Sequence, residues 1–201
     1  MNMISMTEDI LDNVYDDSKD HYEILEIGTA NGKGTTMYLY NYFAEKNKSF
    51  HINSYEGIDS QYELAKEFWE EADDVSIHNK FFCDVDDIKE LVIPNIIGEG
   101  PDLTKEHYER EYARTIETGK FEDTIDYKPD IVLIDCWRFC HAAVINKCKQ
   151  FCDENTIFIM EDDFQSYGEE KILKKYFELK NLKHYDGDLR YGVWNFITFN
   201  L

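Results

Sequence analysis

Short apolar runs bounded by turn residues recur along the chain, and each is followed by a stretch with helical spacing. Tyr22, Ile24, Leu25 and Ile27 mark a first strand over 22–27. It runs into a glycine-rich turn over 28–34. Residues 35–45 then place Met37, Leu39, Tyr40, Tyr42 and Phe43 as an amphipathic helix does. The same alternation predicts strands over 50–55, 77–83, 130–135 and 156–160, and helices over 61–72, 86–92, 138–152 and 168–181. The first 20 residues read as a helix on Ile4, Ile10, Leu11, Val14 and Tyr15. Leu182 to Tyr185, an Asp186-Gly187 turn and the alternating 192–199 predict a closing hairpin. The runs at 130–135 and 156–160 are continuously apolar, as strands covered on both faces are. Together these elements predict an α/β fold, a doubly wound, mostly parallel sheet with a C-terminal antiparallel hairpin.

Residues 94–129 break the rhythm. They separate the third and fourth strands by far more than an ordinary connection. Within them, 104–118 carries Tyr108, Tyr112 and Ile116 at helical spacing. The segment reads either as a surface insertion or as a lid or substrate wall over the carboxyl ends of the strands. The length of 201 residues, set against about 150 per domain, predicts one domain over 1–201.

Charge narrows the partners. With 21 basic and 42 acidic residues the formal net charge is −21. That opposes binding to a phosphate backbone or an anionic membrane, so neither nucleic acid nor membrane is an expected partner. No apolar run approaches the ~18 residues of a membrane span. The N-terminus has neither the basic nor the apolar region of a secretory signal, and a cytoplasmic location is the expectation. The five cysteines are Cys83, Cys136, Cys140, Cys148 and Cys152, an odd number that favours reduced thiols. The last four would stretch about 24 Å along one helix, too far to surround one zinc. They are expected as small buried hydrophobes.

The glycine turn reads Glu26-x-Gly28-x3-Gly32-x-Gly34. It is not a P-loop, because Gly34 rather than Ser or Thr follows Lys33, and it is not a G-x-G-x-x-G fingerprint. Glycines here let a ligand approach the backbone, and the preceding acid can accept a hydrogen bond from a cationic amine. Glu56, Asp84 and Asp135 end the second, third and fourth strands, and Asp162 and Asp163 follow the fifth. Asp135, Asp162 and Asp163 therefore share the crevice beyond the carboxyl edge of the sheet. Three hard oxygen ligands there suit Mg²⁺ or Ca²⁺; helix-capping acids are the other reading.

The segment LEIGTANGKGT (25–35) resembles the first motif of class I S-adenosylmethionine-dependent methyltransferases. The resemblance runs over 22–201 and implies their Rossmann-like fold. It also implies a cofactor, S-adenosylmethionine, held by Glu26, Gly28, Thr29, Ala30, Asn31, Gly32 and Gly34. Glu56 would bind the ribose hydroxyls, Asp84 the adenine amine, and Asp135 would stand beside the methyl donor.

The segments IDCWRF (134–139) and IMEDDF (159–164) resemble metal-dependent sugar O-methyltransferases of the macrocin O-methyltransferase type. This implies Mg²⁺ on Asp135, Asp162 and Asp163, gripping neighbouring hydroxyls of a sugar and acidifying the one that attacks. That family reads Ile-Asp-Gly-Asp after the fourth strand, with the second Asp as base. Here Cys136 and Trp137 replace Gly and Asp. His141 and Glu161 are the titratable substitutes, Arg138 can orient a substrate oxygen, and Trp137 can stack on a sugar face. The expected activity is methyl transfer to a hydroxyl of a sugar or glycan. A small catechol-like acceptor and a non-catalytic methyltransferase-like binding subunit are the alternatives. Association into a homo-oligomer is left open.

Overall fold

The computed structural model describes residues 10–13, 15–92, 105–122, 124–136, 140–160, 173–174, 177–185 and 191–199. In chain order the elements are β1 (His21–Ile27), α1 (Thr35–Glu45), β2 (Ser49–Tyr55), α2 (Asp59–Trp69) and β3 (Val75–His78). Next come α3 (Val85–Asp87), which runs into a π-type turn over Ile88–Val92, and α4 (Lys105–Thr118). The second half holds β4 (Ile131–Ile134), α5 (His141–Cys148), β5 (Ile157–Met160), β6 (Phe177–Tyr185) and β7 (Tyr191–Phe199).

The strands form one seven-stranded sheet in the order β3-β2-β1-β4-β5-β7-β6. The pairs among β1 to β5 are parallel, while β7 runs antiparallel to both β5 and β6. The expected doubly wound sheet with a terminal antiparallel hairpin is the fold observed.

Strand periodicity divides the core into two. Successive strand side chains point to opposite faces. Leu25, Ile27, Val132, Ile134, Phe158 and Met160 pack on one face with Val144, Ile145 and Cys148 of α5. Ile24, Ile131, Leu133 and Ile159 pack on the other with Leu39 and Phe43 of α1 and Trp69 of α2. Ile10 and Leu11 join that second cluster with Tyr15 packed against it, while Ile4 and Val14 lie outside the described residues. Helices thus cover both faces, which is why β4 is buried at every position.

Several elements differ from their expected spans, beginning with the N-terminal helix, of which 10–13 are helical while 15–20 are not. The third strand covers Val75–His78 rather than 77–83, because β2 stops at Tyr55 opposite His78. Beyond that point the chain leaves the sheet and pairs instead with the end of the 94–129 segment. Phe81 N–H donates to the Lys120 carbonyl at 2.7 Å, and Glu122 N–H donates to the Phe81 carbonyl at 2.9 Å. The helix expected over 138–152 is shorter, His141–Cys148. Of the helix expected over 168–181, Leu173 and Lys174 are helical, but the chain is extended from Phe177. There β6 pairs along β7 through register shifts, with Asn181 at φ +55, so long-range pairing overrides the local periodicity.

The cysteines behave as small apolar residues. Cys83, Cys140 and Cys148 are buried and all five are free thiols. Burial raises the thiol pKa of Cys136, Cys140 and Cys148. Among the described residues no helix is long and apolar enough to cross a membrane.

Candidate functional site

The sheet reverses its winding between β1 and β4, and a crevice opens beyond the carboxyl ends of strands at such a point. Register makes the ends level. Ile27 pairs with Tyr55 on one side and with Ile134 on the other. The next residues, Gly28, Glu56 and Asp135, therefore leave three neighbouring strands side by side. All three line a cleft of about 790 Å³, open mouth included.

Its floor depends on the absence of a side chain at Gly28. That residue sits at φ +106, and its N–H donates to the Tyr55 carbonyl at 3.0 Å. Asp135 N–H donates to the Ile27 carbonyl at 2.8 Å, which draws the β4 exit against the glycine turn. A Cβ on Gly28 would lie 1.8 Å from the Asp135 carbonyl oxygen. Only glycine fits this conformation and this approach.

Glu56 is 7% exposed. Its Oε2 accepts the Ala30 N–H at 2.9 Å and its Oε1 accepts the Ile58 N–H at 2.8 Å. Burial raises its pKa, and backbone donors from Ile58, Ala30 and Gly57 partly offset that rise. Both oxygens are thereby fixed at the rim of the cleft. Asp135 Oδ2 accepts the hydroxyl of Thr35, the first residue of α1, at 3.2 Å. The apolar end of the cleft is made by Ile58, Phe81, Phe82, Cys140 and Val144. Lys80 is the basic residue of the lining and donates to Glu122 Oε1 at 3.0 Å.

Of the residues expected to hold the cofactor, the structure brings Gly28, Ala30, Glu56 and Asp135 together in the cleft. Glu26, Thr29, Asn31, Gly32, Gly34 and Asp84 stand outside its lining. Glu26 is fully buried, and its Oε2 accepts Thr36 Oγ1 at 2.7 Å and Ser54 Oγ at 2.5 Å. It joins β1 to β2 and α1, beneath the glycine turn. Thr29 extends the same network through a 2.5 Å hydroxyl contact with Ser54. Asn31 Oδ1 accepts the Lys33 N–H at 3.1 Å and shapes the turn. The Gly32 carbonyl accepts Trp69 Nε1–H at 2.9 Å, which pins the turn to α2. Asp84, next to the cleft residue Cys83, accepts Lys147 Nζ at 2.8 Å.

Among the residues expected in chemistry, His141 is fully buried and lies outside the lining; its Nε2 donates to the Cys136 carbonyl at 2.9 Å. Trp137, Arg138, Glu161, Asp162 and Asp163 lie outside the described residues. Among the described residues no three His, Cys, Asp or Glu side chains are grouped to hold a metal ion. The sequence reading missed the apolar wall of Phe81 and Phe82, because it placed both inside a strand. An aromatic pair just ahead of Asp84 was the available signal. It also gave no role to Thr35 or Lys147.

No family model matches this chain, and no curated protein matches its sequence. Solved structures do match its fold. Fibrillarin from Aeropyrum pernix, solved with natively bound S-adenosyl-L-methionine, superposes with a TM-score of 0.55 at 12% identity, over 94% of this chain and 74% of that one. Human methyltransferase-like protein 13, solved with SAH, gives 0.54 at 13% identity, over 95% and 80%. The N-methyltransferase NodS from Bradyrhizobium japonicum gives 0.53 at 8% identity, over 95% and 94%. Strand order, a cleft at the winding reversal and these likenesses agree that the chain has the fold of the class I S-adenosylmethionine-dependent methyltransferases.

Proposed function

We propose that this protein is an S-adenosylmethionine-dependent methyltransferase acting on a hydroxyl group, with a sugar or glycan as acceptor. The observation that carries the cofactor is the alignment of Gly28, Glu56 and Asp135 at the end of three adjacent strands. A carboxylate with both oxygens pinned suits two vicinal ribose hydroxyls, and a bare backbone at Gly28 admits the body of the ligand. The hydroxyl acceptor is supported by the sequence resemblance at 134–139 and 159–164. The net charge of −21 weighs against RNA as acceptor.

When bound, S-adenosylmethionine supplies an electrophilic methyl group for in-line displacement. The chain's own residues do the rest. Glu56 receives the ribose and orients the ligand along the cleft. Ile58, Phe81, Phe82 and Val144 exclude water from the purine. The sequence resemblance gives the purine's amine to Asp84, which stands one residue beyond the lining residue Cys83. Asp135, held by Thr35, sets a negative charge beside the cationic donor end, and positioning then carries much of the rate. Asp135, Asp162 and Asp163 would hold Mg²⁺, and the metal would acidify the acceptor hydroxyl. The α4 segment forms a wall of the acceptor site.

Calorimetric titration with S-adenosylmethionine tests the cofactor, and micromolar binding at one site per chain is expected. Transfer of labelled methyl to sugar and catechol acceptors, with Mg²⁺ or with chelator, tests the chemistry. Full turnover in chelator, or after Asp162→Ala and Asp163→Ala, removes the metal. Binding without any turnover would favour a non-catalytic binding subunit, and absence of binding would overturn the reading.

A further inference from the structure

Three of the five cysteines, Cys83, Cys136 and Cys140, line one cleft. Two of them come from facing walls of its apolar end. Cys83 follows Phe81 and Phe82 on the chain beyond β3, while Cys140 is the residue before α5. Packing accounts for a single buried thiol, but not for two that meet at a cavity. The Cys140 and Cys83 thiols face each other at hydrogen-bonding reach, and the two residues are 4% and 1% exposed. Burial, and then the Cys83 thiol beside it, hold the Cys140 thiol well above its usual pKa.

The two walls are fastened to each other just behind these sulfurs. Lys147 Nζ donates to Asp84 Oδ1 at 2.8 Å, and Asn146 Nδ2 donates to Asp87 Oδ2 at 2.6 Å. Both bonds run from α5 to residues shortly after Cys83, so the thiols stay side by side while they hold. Cys148 and Cys152 form a second thiol pair, but neither lines the cleft.

We propose that Cys83 and Cys140 are an oxidation site, whose disulfide closes the apolar end of the cleft to the cofactor. The oxidant is a peroxide. One sulfur loses its proton and attacks a peroxide oxygen; the O–O bond breaks, leaving a sulfenic acid and a hydroxide that takes up the proton as water. The other sulfur then attacks the sulfenic sulfur. The S–S bond forms, the S–O bond breaks, and the oxygen leaves with the second thiol's proton as water. Two thiols are thereby oxidised and one peroxide is reduced. Protonated thiols attack slowly, so the site answers a sustained oxidising poise. Bonded sulfurs sit far closer than thiols in contact, and the walls carrying Phe82 and Val144 are drawn together. The bond also closes a loop that contains α4 and β4, which stabilises the fold. The bond stands on the thiol pair alone; its effect on ligand binding rests on the cofactor proposed above.

The test treats the protein with hydrogen peroxide, blocks the remaining thiols and maps the bridged peptides by mass spectrometry. Calorimetry measures S-adenosylhomocysteine binding before oxidation, after it, and after dithiothreitol. A Cys83–Cys140 bridge is expected. The affinity should fall by about tenfold or more, the order of a steric intrusion into a packed site, and return on reduction. The urea midpoint should rise on oxidation, and bound S-adenosylhomocysteine should slow the bridging. In Cys83→Ala and in Cys140→Ala the affinity no longer responds to peroxide, while Cys148→Ala keeps the response. Should one of the two cleft variants fail to fold, the other decides. A bridge through Cys136 in place of either partner overturns the proposal, as does a bridged protein of unchanged affinity or a response that survives in Cys83→Ala. Reduced wild type that binds no S-adenosylhomocysteine is a separate result: it overturns the cofactor reading and the closure with it, whatever bridge is mapped.

Discussion

The substitution Gly28→Ala isolates the cleft floor. Two costs can be worked from the structure. Gly28 stands at φ +106, where a non-glycine residue is strained by about 1–3 kcal/mol. Its new methyl would meet the Asp135 carbonyl oxygen at 1.8 Å and the carbonyl carbon at 2.5 Å, both backbone atoms that no rotamer change can move aside. Overpacking of this kind costs about 1–3 kcal/mol more. The sum, roughly 2–6 kcal/mol, is a large share of the ~5–15 kcal/mol expected of a domain. Relief requires the β4 exit to part from β1, and so displaces Asp135. Urea denaturation should show a midpoint lowered by roughly 1–3 M, using a slope of about 2 kcal/mol per molar. Cofactor affinity should drop, and the rate of methyl transfer should fall by about 100-fold, the order expected for a displacement near 1 Å. Gly119→Ala is the matched control. Gly119 also has positive φ, +63, but among the described residues no atom beyond its chain neighbours lies within 4 Å of the added methyl. It should lose about 1–2 kcal/mol and keep its affinity. Equal losses in the two variants would refute the argument from close approach.

Glu56 gives a pH signature. Burial raises its pKa, so the folded state holds this proton more tightly than the unfolded chain does. Its contribution to stability therefore falls as pH rises from the ordinary glutamate value through the raised one. Cofactor affinity should rise over the same window, with proton release on binding that calorimetry in two buffers detects; an affinity flat across it would count against Glu56 as the ribose acceptor. Glu56→Gln should weaken binding by about 10–100-fold at neutral pH, the worth of a hydrogen bond to a charged group. Trp69→Phe deletes the 2.9 Å bond to the Gly32 carbonyl and should cost about 1–3 kcal/mol in urea denaturation. Because Gly32 does not line the cleft, affinity should hold. Of the two half-buried cysteines, Cys136 lines the cleft and Cys152 does not, so bound cofactor should slow maleimide labelling of Cys136 and not of Cys152, as peptide mapping would reveal.

Much of the architecture was legible because the strands obey a simple rule. Continuous apolar runs at β4 and β5, each followed by an acid, mark buried strands whose ends face a crevice. Gly28, Glu56 and Asp135 could be named before any coordinates, since each follows directly on a strand. Register then made them neighbours. What sequence could not supply was competition between partners. Phe81 and Phe82 read as the end of a strand begun at Ile77, yet β2 has already ended, so Phe81 pairs with 120–122 and both wall the cleft. Residues 177–181 carry helical spacing, yet β7 recruits them into the sheet. Glu26 reads as a ligand-facing acid, and only the hydroxyls of Thr36 and Ser54 reveal its place beneath the turn. Lys147 sits among apolar residues of a helix face, and nothing in its neighbours along the chain announces Asp84.

The pairing of Phe81 with Phe121 makes two stretches of chain a single mechanical part. Residues 119–122 lead directly out of α4, and the Phe81 ring fills the space against Gly57 in the cleft. Under the function proposed above, a shift of α4 on meeting an acceptor would move the wall of the neighbouring pocket. Linkage makes that reciprocal: whatever one ligand gains from the other, the other gains equally. On that reading, the cassette to transfer when redesigning acceptor choice is not the 94–129 segment by itself. It is that segment together with 80–82, since grafting one without the other would break the splice between them.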